Sequence, residues 1–252
     1  MTTEHQHGNG HDNGLEHGNG HGHGHDNGHG HGHGHDHRHD QEHAEVGFTA
    51  EFWDERYSSA ERIWSGNANP HLVTTATELA PGTALDMGSG EGGDAIWLAT
   101  RGWRVTAVDV SKVALDRAAE QARRVGTEVA ERITWQQADG HTWEPGSDRY
   151  DLVSAQFMYL PPGEIAALHR RLAEAVRPGG TLLIVGHHPS DLETSMGRPR
   201  LLDFMYTAEE IAPLLDPDAW QITISSPARQ ATDPDGQLIT INDTILHAVR
   251  RA

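Results

Sequence analysis

Residues 85–95 read LDMGSGEGGDA, and the fold turns on how that stretch is understood. A short apolar run, Thr83–Met87, leads into it, and a helical pattern, Asp94–Thr100, leads out. Gly88, Gly90, Gly92 and Gly93 sit where a strand must bend sharply into a helix. With no Cβ in the way, such a bend lets a ligand come within contact distance of bare backbone. The helix that follows offers unpaired N–H groups at its start. A nucleotide cofactor is the expected occupant of this turn.

Outward from the turn, strand and helix signals alternate. Arg104–Val108 is apolar and ends at Asp109; Ser111 then caps a helix that runs to Val125 and stops at Gly126. Ile133–Ala138 and Tyr150–Gln156 read as strands. Pro162–Val176 carries Ile165, Leu168, Leu172 and Val176 at helical spacing, and Pro178-Gly179-Gly180 turns into the strand Thr181–Val185. Thr207–Glu210 fits a capping box. Two β-rich runs follow, Trp220–Ser225 and Ile239–Val249, around the turn formers Asp233–Gly236. Five alternations imply a parallel sheet with helices on both faces, and the closing pair implies an antiparallel hairpin. The expected fold is α/β: a Rossmann-like, doubly wound sheet of seven strands. Its ligand belongs beyond the carboxyl ends of the strands.

Upstream, residues 48–69 read as a helix and loop bearing Phe52, Trp53, Tyr57 and Trp64, too aromatic for a solvated face. Pro70 introduces a second helix, His71–Leu79. This aromatic segment either packs on the domain or covers the cofactor pocket. Residues 1–43 differ again. They hold 14 of the 20 histidines, set among Gly, Asn, Asp and Glu, and cannot bury apolar surface, so disorder is expected there. The chain thus divides into a tail, 1–43, and one domain, 44–252, with a helical lid at 44–82 and the core at 83–252. Closely spaced imidazoles at His21, His23, His25, His29, His31, His33, His35, His37 and His39 suit Ni²⁺ or Zn²⁺.

Acidic residues outnumber basic ones, 37 to 19, for a formal net charge of −18. That balance disfavours nucleic acid and anionic membrane as partners. The absence of cysteine excludes disulfides, thiolate metal sites and cysteine nucleophiles. No apolar leader or spanning run is evident, which makes the cytoplasm the expected location.

Gly88-x-Gly90-x-x-Gly93 with Asp109 about 20 residues on also fits a dinucleotide fingerprint, so the turn alone leaves NAD open. Three features favour another cofactor. Asp86, two residues before the first glycine, suits a cation better than a pyrophosphate. Asp139, after the third strand, can accept from an adenine amino group. The sequence after the fifth strand is too short for a second mononucleotide-binding half.

Taken together, LDMGSGEGGDA, VDVS at 108–111, QADGHTW at 137–143, YDLVSAQFMYLP at 150–161 and VRPGGTLLIVG at 176–186 resemble the class I S-adenosylmethionine-dependent methyltransferases. Trp53-x-x-x-Tyr57 followed by Trp64 is similar to the thiopurine S-methyltransferase and tellurite-resistance methyltransferase branch, where this segment covers the cofactor. The resemblance implies backbone contact from Gly88 and Gly90, ammonium support from Asp86 and ribose hydroxyls on Asp109. It also implies packing of Val110 on the adenine and acceptance of the adenine amine by Asp139 near the Gly140 amide. Gln156 would lie beside the sulfonium, under Trp53, Tyr57 and Trp64. If the acceptor must lose a proton, His187 and Tyr159 are the candidate bases; His188 and His141 read as structural. The loop 156–160 lacks the Asn/Asp-Pro-Pro-aromatic pattern of nucleic-acid amino-methylation, so a small-molecule acceptor is expected. Phe157, Met158, Tyr159, Met196, Phe204 and Met205 could line its pocket. The alternatives are a metal-handling protein using the tail and an NAD(P)-dependent oxidoreductase.

Overall fold

The computed structural model describes residues 48–147, 149–196 and 204–252. The histidines proposed as metal ligands in the tail lie outside the described residues. The central strand is β1 (Thr83–Met87), buried from its second residue onward. It pairs in parallel with β2 (Arg104–Asp109) on one side and β4 (Tyr150–Gln156) on the other. β3 (Ile133–Gln137) extends the sheet past β2, and β5 (Val176–His187) past β4. β8 (Leu238–Arg250) runs antiparallel to β5 and takes β6 (Trp220–Ser225) on its far side. The order is β3-β2-β1-β4-β5-β8-β6, the expected seven strands with the expected antiparallel end.

Two details go beyond that expectation. An eighth strand, β7 (Ala228–Thr232), pairs with the first half of β8 and makes a hairpin of the Asp233–Gly236 turn. β5 begins at Val176 rather than Thr181. Tyr150 pairs with Val176 and Leu152 with Thr181, so the residues between bulge out around Gly179, whose φ is +78°.

Among the described residues seven α-helices flank the sheet: α1 (Ala50–Ser58), α2 (Pro70–Thr77), α3 (Gly93–Thr100), α4 (Lys112–Val125), α5 (Thr127–Ala130), α6 (Pro162–Ala175) and α7 (Ala208–Ile211). Successive strand residues face opposite sides, which splits the core in two. Leu85, Met87, Val153, Leu182 and Ile184 pack with Leu168 and Leu172 of α6. Ala84, Leu152, Leu183 and Val185 pack with Leu72 of α2, Leu98 of α3 and Trp103. Fully burying each Leu or Ile contributes roughly 1.5–3 kcal/mol. α4 follows its sequence signals closely: the Ser111 hydroxyl accepts from the Ala114 amide at 3.1 Å, Gly126 ends the helix, and Ala114, Ala118 and Ala122 form the buried stripe. Among the described residues no helix is long and apolar enough to cross a membrane. The strand order switches sense between the parallel neighbours β1 and β4, so the loops after these two strands flank a crevice.

Candidate cofactor site at the glycine turn

The turn after β1 is spliced onto β2. The amides of Gly88 and Ser89 both donate to the Val108 carbonyl, at 2.8 and 3.0 Å. Asp109, at the end of β2, completes the clamp. Its Oδ2 accepts from the Gly90 amide at 2.7 Å and its Oδ1 from the Ser111 amide at 2.9 Å. Burial raises the Asp109 carboxyl above the usual range, and these amides pull it back. Gly90 must be glycine on two counts. Its φ is +51°, and a Cβ would lie 2.9 Å from the Tyr57 hydroxyl.

Tyr57 is the buried residue of α1. Its hydroxyl accepts from the Trp64 indole N–H at 3.0 Å. Burial, then the charges of Asp109 and Glu91, push the phenol up. Trp53 stands beside it, 6.0 Å between ring centroids, and Phe48 stacks on Trp53 in turn. Three carboxylates that the sequence reading assigned no role hold this aromatic segment down. Glu91 Oε2 accepts from the Ile63 and Trp64 amides, each at 3.1 Å, while Oε1 accepts from Arg117 at 3.2 Å. Asp94 Oδ1 accepts from the Asn69 amide at 2.6 Å, and Asn69 caps α2. Asp54 Oδ1 accepts from the Ser111 hydroxyl and the Val113 amide. Their partners are mostly backbone amides, which carry no residue-type signal; the clue was that Glu91 and Asp94 lie inside the glycine stretch itself.

Beyond the carboxyl ends of β2 and β3 lies a cavity of about 590 Å³. Val110, Ala138 and Asp139 form one wall, Phe48, Thr49 and Glu51 another, and Phe204 closes it. Asp139 is tilted by partial burial toward a higher pKa, but the His141 amide and ring, at 2.9 and 2.6 Å, hold it below the usual carboxylate range. The His141 ring also reaches Glu164, so it bridges two carboxylates. The Gly140 carbonyl accepts from Arg171 at 2.6 Å. A second cavity, about 430 Å³, opens at the amino ends of the strands among Thr83, Arg104 and Arg132, far from the glycine turn.

On the β4 side, Gln156 donates through Nε2 to the Ser154 hydroxyl at 2.7 Å, while its Oε1 is buried without a partner. Asp86 is 2% exposed, and its Oδ2 is likewise unpartnered. Burial, followed by the charges of Asp94 and Asp109, sets its carboxyl well above the ordinary range; Asp94 is pushed up to about 6. Phe157 is the one non-glycine residue with positive φ among those described, at +53°. Its ring lies 4.3 Å from that of His187, and Tyr159 sits between His187 and Phe48. The adjacent histidines diverge, for His188 Nδ1 turns to Ser190 at 2.9 Å. The sequence-selected residues therefore fall into an adenine-side cavity wall, the glycine turn with its aromatic cover, and a β4–β5 cluster. Buried acceptor oxygens on Asp86 and Gln156, beside a turn free of Cβ atoms, suit a ligand that carries positive charge and donors.

Residues 84–180 match the methyltransferase domain family. Residues 84–180 carry a methyltransferase domain, on the fold of the S-adenosylmethionine-dependent methyltransferases. A probable thiol methyltransferase from Arabidopsis thaliana is 28% identical over 137 residues, covering 52% of this chain and 59% of that protein. A ribosomal RNA small subunit methyltransferase from Alcanivorax borkumensis is 34% identical over 112 residues, covering 42% and 33%. The chain thus spans about three fifths or less of the length of these curated relatives. The crystal structure of TehB from Haemophilus influenzae superposes with a TM-score of 0.61 at 19% identity, over 79% of this chain and 67% of that one, and has the same fold.

Proposed function

We propose that this methyltransferase moves the methyl group of S-adenosylmethionine onto a small molecule. The unpartnered buried oxygen of Asp86 is the observation that carries the choice of cofactor. A carboxylate there welcomes an ammonium and repels a pyrophosphate. Gly88 and Gly90 give backbone contact along the amino-acid end. Asp109 holds the ribose hydroxyls; each of its oxygens already accepts one amide and has a lone pair left. Val110 packs on the adenine, Asp139 accepts from its amino group beside Gly140, and Gln156 turns its free oxygen toward the cationic sulfur. Trp53, Tyr57 and Trp64, in the segment 44–82, cover the site and exclude water. The bound sulfonium supplies an activated methyl group, so the protein's task is alignment and dryness, worth up to roughly 7–11 kcal/mol.

Two observations support a small acceptor over nucleic acid. The cavity mouth carries Glu51 and Asp139, with Glu164 beside His141, and the whole chain is strongly acidic. The aromatic cluster Phe48, Tyr159 and Phe204 gives an apolar acceptor a surface to pack on. A relative named for thiols makes a soft nucleophile the first class to try. His187 and Tyr159 border that cluster as candidate bases. The test is calorimetry with S-adenosylhomocysteine, expected to bind in the micromolar range. Labelled methyl transfer follows, to thiols, amines, phenols, oxyanions of selenium or tellurium, and ribosomal RNA. No binding to folded protein would sink the reading; transfer to RNA alone would sink its acceptor class.

A further inference from the structure

One ionisable constellation at the carboxyl end of β5 has no part in holding the cofactor. His187, the last residue of β5, faces Asp243 across the strand pair. Asp243 is 2% exposed. Its Oδ2 accepts from His71 Nε2 at 3.1 Å and from Arg229 Nε at 2.7 Å, while its Oδ1 is buried without a partner. Partial burial would lift this carboxyl, but the two donors hold it below the ordinary range. His71 comes from the first turn of α2, the helix whose cap, Asn69, is tied to Asp94 beside the glycine turn. His71 therefore lies between the Asn69–Asp94 tie beside the glycine turn and Asp243 on β8, and its side chain is about one quarter exposed.

This is the arrangement of an oriented base. With Nε2 donating to a carboxylate, the tautomer is fixed and the Nδ1 lone pair is left to take a proton; the carboxylate then stabilises the imidazolium that forms. Arg229 donates to the same oxygen and so holds the carboxylate in place for the imidazole. His187 is less suited, because its ring lies against the face of Phe157. The charged and titratable groups that hydrogen bonding and strand pairing bring to His71 are Asp243 on β8, Arg229 on β7, His187 on β5 opposite Asp243, and Asp94 on α3 through the Asn69 cap; α2 carries no other ionisable side chain.

We propose that His71 accepts the proton of the methyl acceptor, with Asp243 and Arg229 as positioning residues. The inference rests on the methyltransferase reading and narrows the acceptor to one that keeps its proton at neutral pH, an alkyl thiol being the simplest. The S–H proton passes to His71 Nδ1, the thiol's electron pair forms the new S–CH₃ bond, and the pair of the broken sulfonium S–CH₃ bond stays with its sulfur as a neutral thioether.

The test uses the full chain with 2-mercaptoethanol as probe. Imidazole ¹⁵N NMR, assigned by difference with His71→Gln, should find His71 protonated at Nε2, and Asp243→Asn should mix the tautomers. His71→Gln should lose about 100-fold in kcat/KM and lose the acidic limb of its pH profile, while binding S-adenosylhomocysteine within about threefold of wild type. In the wild type that limb should coincide with the NMR titration of His71. A mismatch, an Nδ1-protonated His71, or a folded His71→Gln with its rate and limb intact overturns the proposal. If neither variant folds, His71 is assigned in the wild type through its own backbone-to-ring correlations, and its tautomer and the coincidence of limb and titration decide alone. Failure of the wild type to bind S-adenosylhomocysteine overturns the underlying methyltransferase reading, and this proposal with it.

Discussion

The Glu91 carboxylate accepts from the Trp64 amide at 3.1 Å, so the glycine turn itself holds the aromatic loop over it. The same oxygen takes the Ile63 amide, and Arg117 steadies the other oxygen. Packing contributes little at this point, since Trp64 is 47% exposed. Removing the acceptor strands two amides and a guanidinium, at about 1–3 kcal/mol. Glu91→Ala should therefore weaken S-adenosylhomocysteine binding by tenfold or more, and Glu91→Gln, which keeps one acceptor oxygen, by less. Calorimetry measures both; equal affinities for wild type and Glu91→Ala would show that the loop is held by something else.

Asp109 is asked to do more. It fastens the turn to β2 and α4 through two amides, and it is the expected partner of the ribose. Asp109→Ala should bind S-adenosylhomocysteine at least 100-fold more weakly. Asp109→Asn retains one acceptor oxygen and should keep its circular dichroism spectrum while losing most of the affinity. Full binding by Asp109→Asn would argue that the carboxylate serves only the turn.

Two glycines provide a matched comparison. Gly90→Ala meets both a left-handed φ and the Tyr57 hydroxyl, at a cost of roughly 1–3 kcal/mol, and its methyl intrudes where the ligand is expected. Gly163, in the first turn of α6, has open space around an added Cβ, so Gly163→Ala should gain about 0.5–1 kcal/mol. Urea unfolding of the two variants should move in opposite directions. A Gly90→Ala protein as stable as wild type would contradict the strain argument.

The elements that were legible before any coordinates are those set by local physics. β1 and β4 match their apolar runs residue for residue, and Ser111 and Gly126 bound α4 as capping predicts. The positions of Asp86 and Asp109 at strand ends were legible from their spacing to the glycines, and both are buried there. The ties made by Glu91, Asp94 and Asp54 were not legible, since they run to backbone amides 25 or more residues away in sequence. The His71–Asp243 pair was hidden for a stronger reason: 172 positions separate its members, and only the antiparallel placement of β8 brings them together. β7 was missed because ARQAT is polar and mostly exposed, a strand held by backbone pairing with β8 rather than by an apolar face.

His169 yields a prediction about stability alone. It lies in α6, 2% exposed, edge-on to Tyr206 at 5.1 Å, with neither ring nitrogen partnered. Burial pushes its pKa down to about 4 from the ordinary 6.5. The unfolded chain therefore takes up this proton first, as pH drops through about 6.5, and the folded chain only near 4. The stability tied to the neutral ring is fully present above about 6.5 and is lost progressively toward 4. Each pKa unit is worth 1.36 kcal/mol, so the loss reaches about 3 kcal/mol. Asp94, raised to about 6, acts in the opposite sense over part of this range, but it is common to wild type and variant and cancels in their difference. His169→Phe keeps the ring against Tyr206 and has no proton to take. It should gain about 1 kcal/mol at pH 7 by removing unpartnered nitrogens, and its lead over wild type should widen between pH 6.5 and 4.5. Urea midpoints at several pH values read this directly; a constant difference across that range would mean that His169 does not titrate in isolation from its surroundings.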